Sequence, residues 1–156
     1  MKQLSAALAA LSLACAVPAM AQDAPATATH SAQEAANLAT VRAFYEAALN
    51  QQDADLAASY LGPNYVQHNP TAQDGEAGLR GFVGWLAANF PDNESRIVRA
   101  FADGDHVILH VHTRRTPDQR GNAIMEIFRL ESGKIVEHWD VIQAVPEQAA
   151  NTNTMF

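Results

Sequence analysis

The sequence predicts an α+β domain in which helices cover one face of a curved, mainly antiparallel sheet. Two observations lead there. Apolar residues recur at helical spacing between Ser31 and Phe90, and from Ser95 onward the period becomes two, in runs broken by Asp103-Gly104 and Ser132-Gly133. Three helices followed by a meander of four or more strands is the order of an α+β fold, not of alternating strand–helix units.

The chain begins with the form of a secretory leader. Met1-Lys2 carries a single charge, Leu4 to Val17 is apolar, and Ala19-Met20-Ala21 matches a small-residue cleavage site, so residues 1–21 read as a signal peptide. Cleavage after Ala21 predicts a periplasmic or secreted protein. Cys15 raises lipoprotein processing as a rival, although Ser12-Leu13-Ala14 is a poor approach sequence for it. Cys15 is the only cysteine, so a chain cleaved after Ala21 has no disulfide, cysteine nucleophile or thiolate metal site. Residues 22–30, which include His30, have no periodicity and read as a flexible spacer. One domain then fills 31–156.

Ser31-Ala-Gln-Glu34 is a capping-box pattern, and Leu38, Val41, Phe44, Tyr45, Ala48 and Leu49 follow on one helical stripe. A short helix after Asp53 should bury Leu56 and Tyr60 and stop at Gly62-Pro63. A third helix, from about Glu76 to Asn89, carries Leu79, Phe82, Leu86 and Phe90. Gly75, Gly78, Gly81 and Gly84 recur every third residue there and predict close packing on a neighbouring element. Strands follow at 97–102, 105–114, 122–130 and 134–143. The tail from Pro146 ends in Met155-Phe156, an apolar tip able to dock.

Composition narrows the function. Hydrophobic residues make up 48% of the chain and charged ones 17%, a globular composition. With 17 acidic and 10 basic residues the net charge is −7, which repels phosphates and argues against nucleic-acid binding. Outside the leader no apolar run is long enough to span a membrane.

Three clusters could carry chemistry. Gln67-His68-Asn69-Pro70 sits in a non-helical link, where Pro70 holds Asn69 extended. His110 and His112 share one face of a strand with Ile108, while Val107, Leu109 and Val111 take the other; both faces are partly apolar, so the histidines are expected to border an enclosed space. Glu137-His138-Trp139-Asp140 lies in the last strand, with His138 and Asp140 on one side. A two-residue loop at Ser132-Gly133 would place Glu126 on the face of Trp139. A three-residue loop, Glu131-Ser132-Gly133, would set Leu130 opposite Lys134 and Glu126 opposite His138, and this register is preferred because it gathers Glu126, His138 and Asp140. Carboxylates beside a histidine in an apolar cavity are acid–base equipment. The same residues could merely satisfy one another as a buried polar network. Imidazole and carboxylate also suit zinc or iron, but no His-x-x-x-His helix motif supports a metal, and neither a metal nor a cofactor is predicted.

The segments Tyr65-Val-Gln-His-Asn-Pro70, Gly104-Asp-His-Val107 with His110-x-His112, Glu126-Ile-Phe-Arg129, Gly133-Lys-Ile-Val-Glu-His-Trp-Asp140 and the Asn151–Phe156 tail together resemble the SnoaL-like proteins of the nuclear transport factor 2-like superfamily. The resemblance runs over about residues 34–156. It implies a cone-shaped barrel, three helices wrapped on a strongly curved sheet with a pocket inside. Founding members of that family are polyketide cyclases that close a ring by aldol condensation with an acidic residue and no metal. By resemblance, Asp140 and His138 belong to the catalytic pocket and His68 and Asn69 to substrate binding.

The resulting expectation is an exported, cofactor-free enzyme of cyclase or isomerase type, acting on a small hydrophobic or carbonyl-containing ligand. Asp140 would remove a proton beside the carbonyl, and His138 would orient it or shuttle the proton. His68, Asn69, His110, His112 and Glu126 would contact substrate, with His68, Asn69 or His110 holding the enolate oxygen. A periplasmic binding protein without turnover and an oligomerising interaction domain with a vestigial pocket are the alternatives. Met125, Ile127, Ile135, Trp139 and Val141 are expected on the sheet face opposite the pocket, predicting a homodimer through the sheet.

Overall fold

A computed structural model describes residues 31–156; the predicted leader, Cys15 and the spacer lie outside these residues. Helix α1 (Ala32–Tyr45) starts at the predicted capping box: Ser31 Oγ accepts the Glu34 N–H at 3.2 Å and Glu34 Oε2 accepts the Ser31 N–H at 2.7 Å. The helix runs on as a π-helical turn, Glu46–Asn50, and stops where Gln52 adopts a left-handed φ of 55°. Val41, Phe44, Tyr45, Ala47 and Ala48 form its buried stripe. Asp53 caps α2 (Ala54–Ser59), its Oδ1 accepting the Leu56 N–H at 2.9 Å.

The segment after α2 departs from expectation. Leu61–Gln67 is a strand, β1, not a link, and α2 ends before Gly62-Pro63. Proline is tolerated because β1 lies at the edge of the sheet, where one side of its backbone needs no ladder partner. Next comes α3 (Gly75–Asn89), close to its predicted span. Its glycine repeat has a narrower meaning than close packing on a neighbour. A Cβ at Gly78 would meet the Gln73 carbonyl oxygen at 2.1 Å, in the chain just before the helix, whereas Gly81 and Gly84 face open space.

Four antiparallel strands complete the fold: β2 (Glu94–Asp103), β3 (His106–Arg114), β4 (Asn122–Glu131) and β5 (Lys134–Ala144). The five-stranded mixed sheet has the order β1-β5-β4-β3-β2, with β1 parallel to β5, and it is open. Helices α1 and α3 pack on its inner face. Val107, Leu109 and Val111 of β3 meet Phe44, Val83 and Phe128 there. Each large apolar side chain so buried contributes about 1.5–3 kcal/mol. Among the described residues no helix is long and apolar enough to cross a membrane.

The β4–β5 hairpin corrects the preferred register. Glu131 opposes Lys134 and Leu130 opposes Ile135, so the loop is the two-residue Ser132-Gly133, both residues at positive φ as a type I′ turn requires. The ladder then slips: Arg129 opposes Glu137, leaving Val136 as the extra residue of a β-bulge. Beyond it Glu126 opposes Asp140 and Phe128 opposes His138, so the three polar residues share the inner face after all. The bulge also turns Ile135 into the core, fully buried, instead of onto the outer face. Gly62 is needed beside it, because a Cβ there would lie 2.7 Å from Val136 Cγ1.

Candidate active site

Between the inner face of the sheet, α1 and α3 lies a cavity of about 600 Å³, within the range of small-molecule sites. Its walls mix aromatic and aliphatic side chains with polar ones, among them a cluster of Tyr45, Tyr65, Gln67, Glu126, His138 and Asp140. Glu126 and His138 are buried and Asp140 is half-buried.

His138 Nε2 lies 2.6 Å from Glu126 Oε2, and His138 Nδ1 lies 3.0 Å from Gln67 Oε1. Gln67 settles where the histidine proton sits. Its Oε1 accepts the backbone N–H of Asn69 at 2.8 Å, which fixes the amide orientation, so His138 Nδ1 must carry the hydrogen that points to the same oxygen. The short contact on the other side of the ring therefore holds one proton shared between Nε2 and the Glu126 carboxyl. Glu126 Oε1 accepts a second hydrogen bond, from the Tyr45 hydroxyl at 2.8 Å. Burial, and then the Glu126 charge, hold the Tyr45 hydroxyl well above the usual phenol range, so it stays a neutral donor.

The same amide orientation makes Gln67 Nε2 the donor to Tyr65 Oη at 3.0 Å. The Tyr65 proton is then left without a protein acceptor among the described residues. Burial first, and Glu126 second, raise its pKa, so Tyr65 presents a neutral O–H to the cavity. Asp140 is oriented from outside the strand: Asn69 Nδ2 donates to both of its oxygens, at 2.9 and 2.8 Å, while Asn69 Oδ1 accepts from the Thr71 N–H and hydroxyl. Asn69 thus acts as a bracket, set by the turn that Pro70 begins.

The structure brings together Asp140, His138, Glu126 and Asn69 and leaves out three predicted members. His68 is at the end of β1 with its ring stacked on Trp139, centroids 4.6 Å apart, and bonded to Glu137 at 2.8 Å on the outer face. His110 and His112 also point outward, because the bulge-free alternation of β3 gives the inner face to Leu109, Val111 and Thr113. Their role there is to seat the tail: Phe156 stacks on His112 at 4.2 Å and on His110 at 5.6 Å. The sequence reading missed Tyr45, Tyr65 and Gln67 as site residues. Gln67 and Tyr65 stood in a segment already singled out, whereas Tyr45 was placed on the apolar stripe of the first helix.

Potential ligand atoms of Glu126, His138 and Asp140 lie within 4.8 Å of one another, the only such trio among the described residues. The donor types suit a divalent cation. Entry of one would have to break the Glu126–His138 hydrogen bond and displace its proton.

The SnoaL-like domain model matches residues 41–138, more than half of the chain. The chain belongs to the SnoaL-like family. Solved structures agree on the fold of this SnoaL-like protein. TsrD from Streptomyces laurentii is 21% identical with a TM-score of 0.58, over 69% of this chain and 88% of that one. A candidate ketosteroid isomerase from Kribbella flavida is 17% identical with a TM-score of 0.62, over 76% and 86%. A candidate SnoaL-like polyketide cyclase from Jannaschia sp. CCS1 is 19% identical with a TM-score of 0.60, over 73% and 90%. No curated protein matches the sequence. At these identities the likeness extends to the fold, and the chemistry has to be argued from the pocket itself.

Proposed function

We propose that this SnoaL-like protein is an exported enzyme that moves a proton next to the carbonyl group of a small ligand, in an aldol, cyclase or isomerase type of reaction. The observation that carries the reading is the 2.6 Å contact between His138 Nε2 and Glu126 Oε2, with a separately oriented carboxylate, Asp140, on the same wall of the cavity. Asp140 is the base. Asn69 donates to both of its oxygens yet leaves lone pairs toward the cavity, so the group is aimed but not saturated. As the proton leaves the ligand carbon, negative charge collects on the carbonyl oxygen. Tyr65 supplies the donor for that charge in place of the outward-facing His68 and His110, and Asn69 is already committed to Asp140. A preorganised donor is worth most at this stage. The Glu126–His138 pair holds a second proton for return to the product.

The experiment is solvent deuterium incorporation. Small ketones and aldehydes are incubated with the protein in deuterated buffer, and label at the carbon beside the carbonyl is read by mass spectrometry. The reading expects enzyme-dependent label in at least one compound class, abolished by heat denaturation. Absence of any enzyme-dependent label across linear, cyclic and aromatic ketones would reduce the protein to a binding module.

A further inference from the structure

The cavity has a second polar end. Arg115, just past β3, lines it together with Phe82 and Trp85 of α3. The guanidinium carbon stands 5.8 Å from the Phe82 ring centre and 5.9 Å from those of Trp85 and Phe90. Its flat face is thereby held by aromatic rings. Among the described residues only one of its N–H donors is engaged, from Nη1 to Asn93 Oδ1 at 2.8 Å, and no carboxylate pairs with it. Partial burial lowers its pKa from the ordinary arginine value, as expected of a cation short of solvent and of a counter-charge. Half-buried charges are normally paired, and an arginine stacked through its face with a free donor edge is suited to a planar anion.

Position gives this feature its meaning. Glu126 opposes Leu109, whereas Arg115 follows Thr113 at the far end of β3, and Tyr45 stands between the two: its hydroxyl bonds Glu126 Oε1 at 2.8 Å and lies within range of the Arg115 charge. The cavity is therefore acidic on the side of Glu126 and Asp140 and cationic on the side of Arg115, with Tyr45 between them. Uniform attraction of any polar ligand is not what such a field produces. A molecule with a carboxylate and a carbonyl would enter in one orientation, its anion repelled by Asp140 and Glu126 and drawn to Arg115.

We infer that Arg115 is the anion-binding end of the pocket and that the ligand is a carbonyl compound carrying a carboxylate. This rests on the acid–base reading only for the carbonyl half of the ligand; the carboxylate half stands on Arg115 alone.

The test uses 3-benzoylpropanoate and its neutral amide, which share a ketone and an aromatic body. Each is titrated into the wild-type protein by calorimetry. The acid should bind about tenfold or more tightly than the amide, the discrimination expected of one charge-assisted contact. Arg115→Gln should bring the two affinities to within about twofold, the acid losing far more than the amide, and Arg115→Lys should keep part of the preference. Should Arg115→Gln fail to fold, the wild-type comparison and Arg115→Lys decide the matter. Equal affinities of acid and amide for the wild type, or no detectable binding of the acid, overturn the inference. Deuterium incorporation beside the ketone reports separately on Asp140. Preference for the acid without exchange would sink the proposed chemistry and leave Arg115 in place; exchange of both compounds without preference would do the reverse.

Discussion

His138 reaches Glu126 diagonally across two strands, and the extra residue Val136 is what puts the two on one face. Without the bulge, the two-residue turn would have paired Glu126 with Trp139 and sent His138 to the outside. The hydrogen bond at 2.6 Å and the Tyr45 donor on the other carboxyl oxygen leave Glu126 fully partnered in a buried setting.

Tyr45→Phe removes one of those partners and keeps the ring. The buried Glu126 oxygen then lacks a donor, and chemical denaturation should show a loss of about 1–3 kcal/mol. A stability equal to that of the wild type would mean that the oxygen finds another donor in the cavity.

Outside the pocket, Glu137 links Arg129 and His68 at 2.7 and 2.8 Å. The Arg129 hydrogen bond first, and His68 second, hold its carboxyl below the usual glutamate range. The folded state therefore binds the Glu137 proton less readily than the unfolded chain does. Its stabilisation is present above the unfolded value of about 4.3 and is lost as pH falls through the lower folded value. Thermal unfolding of wild type and Glu137→Gln should differ near neutral pH and converge in acid. A gap that widens on acidification would reverse the assigned sign.

The outer sheet face carries Val141 at 73% exposure, Phe101 at 52%, Met125 at 43% and Ile127 at 36%, and among the described residues no helix packs over it. A contiguous apolar patch of this kind favours association, and we expect a homodimer through the sheet. Sedimentation velocity should give a dimer for the wild type and a monomer for Trp139→Arg. A monomeric wild type at micromolar concentration would exclude this assembly.

Export rests on the leader sequence, outside the described residues. Intact mass of protein recovered from the periplasm should correspond to a chain beginning at Gln22. A mass carrying an acylated Cys15 at the N-terminus would favour the lipoprotein route.

Much of this was legible in the chain because periodicity survives folding. The capping box at Ser31, the α3 stripe and the four meander strands all follow local patterns. What escaped was set by non-local pairing. Gly62-Pro63 reads as a breaker, and only its edge position beside β5 makes β1 a strand. The bulge at Val136 is a one-residue slip with no local signature, and it decides that Ile135 is core. His110 and His112 were misplaced because both faces of β3 are apolar enough to be read as inner. Tyr65 and Arg115 gain their meaning from side chains far away in sequence.

The most direct measurement on the central claim compares Asp140→Asn with wild type in deuterium incorporation, using a ketone that the wild type labels. The substitution keeps shape and an acceptor oxygen, so folding and ligand binding should persist. Exchange should fall by about 100-fold or more if Asp140 is the base. Full exchange in Asp140→Asn would contradict the account and pass the role to Glu126.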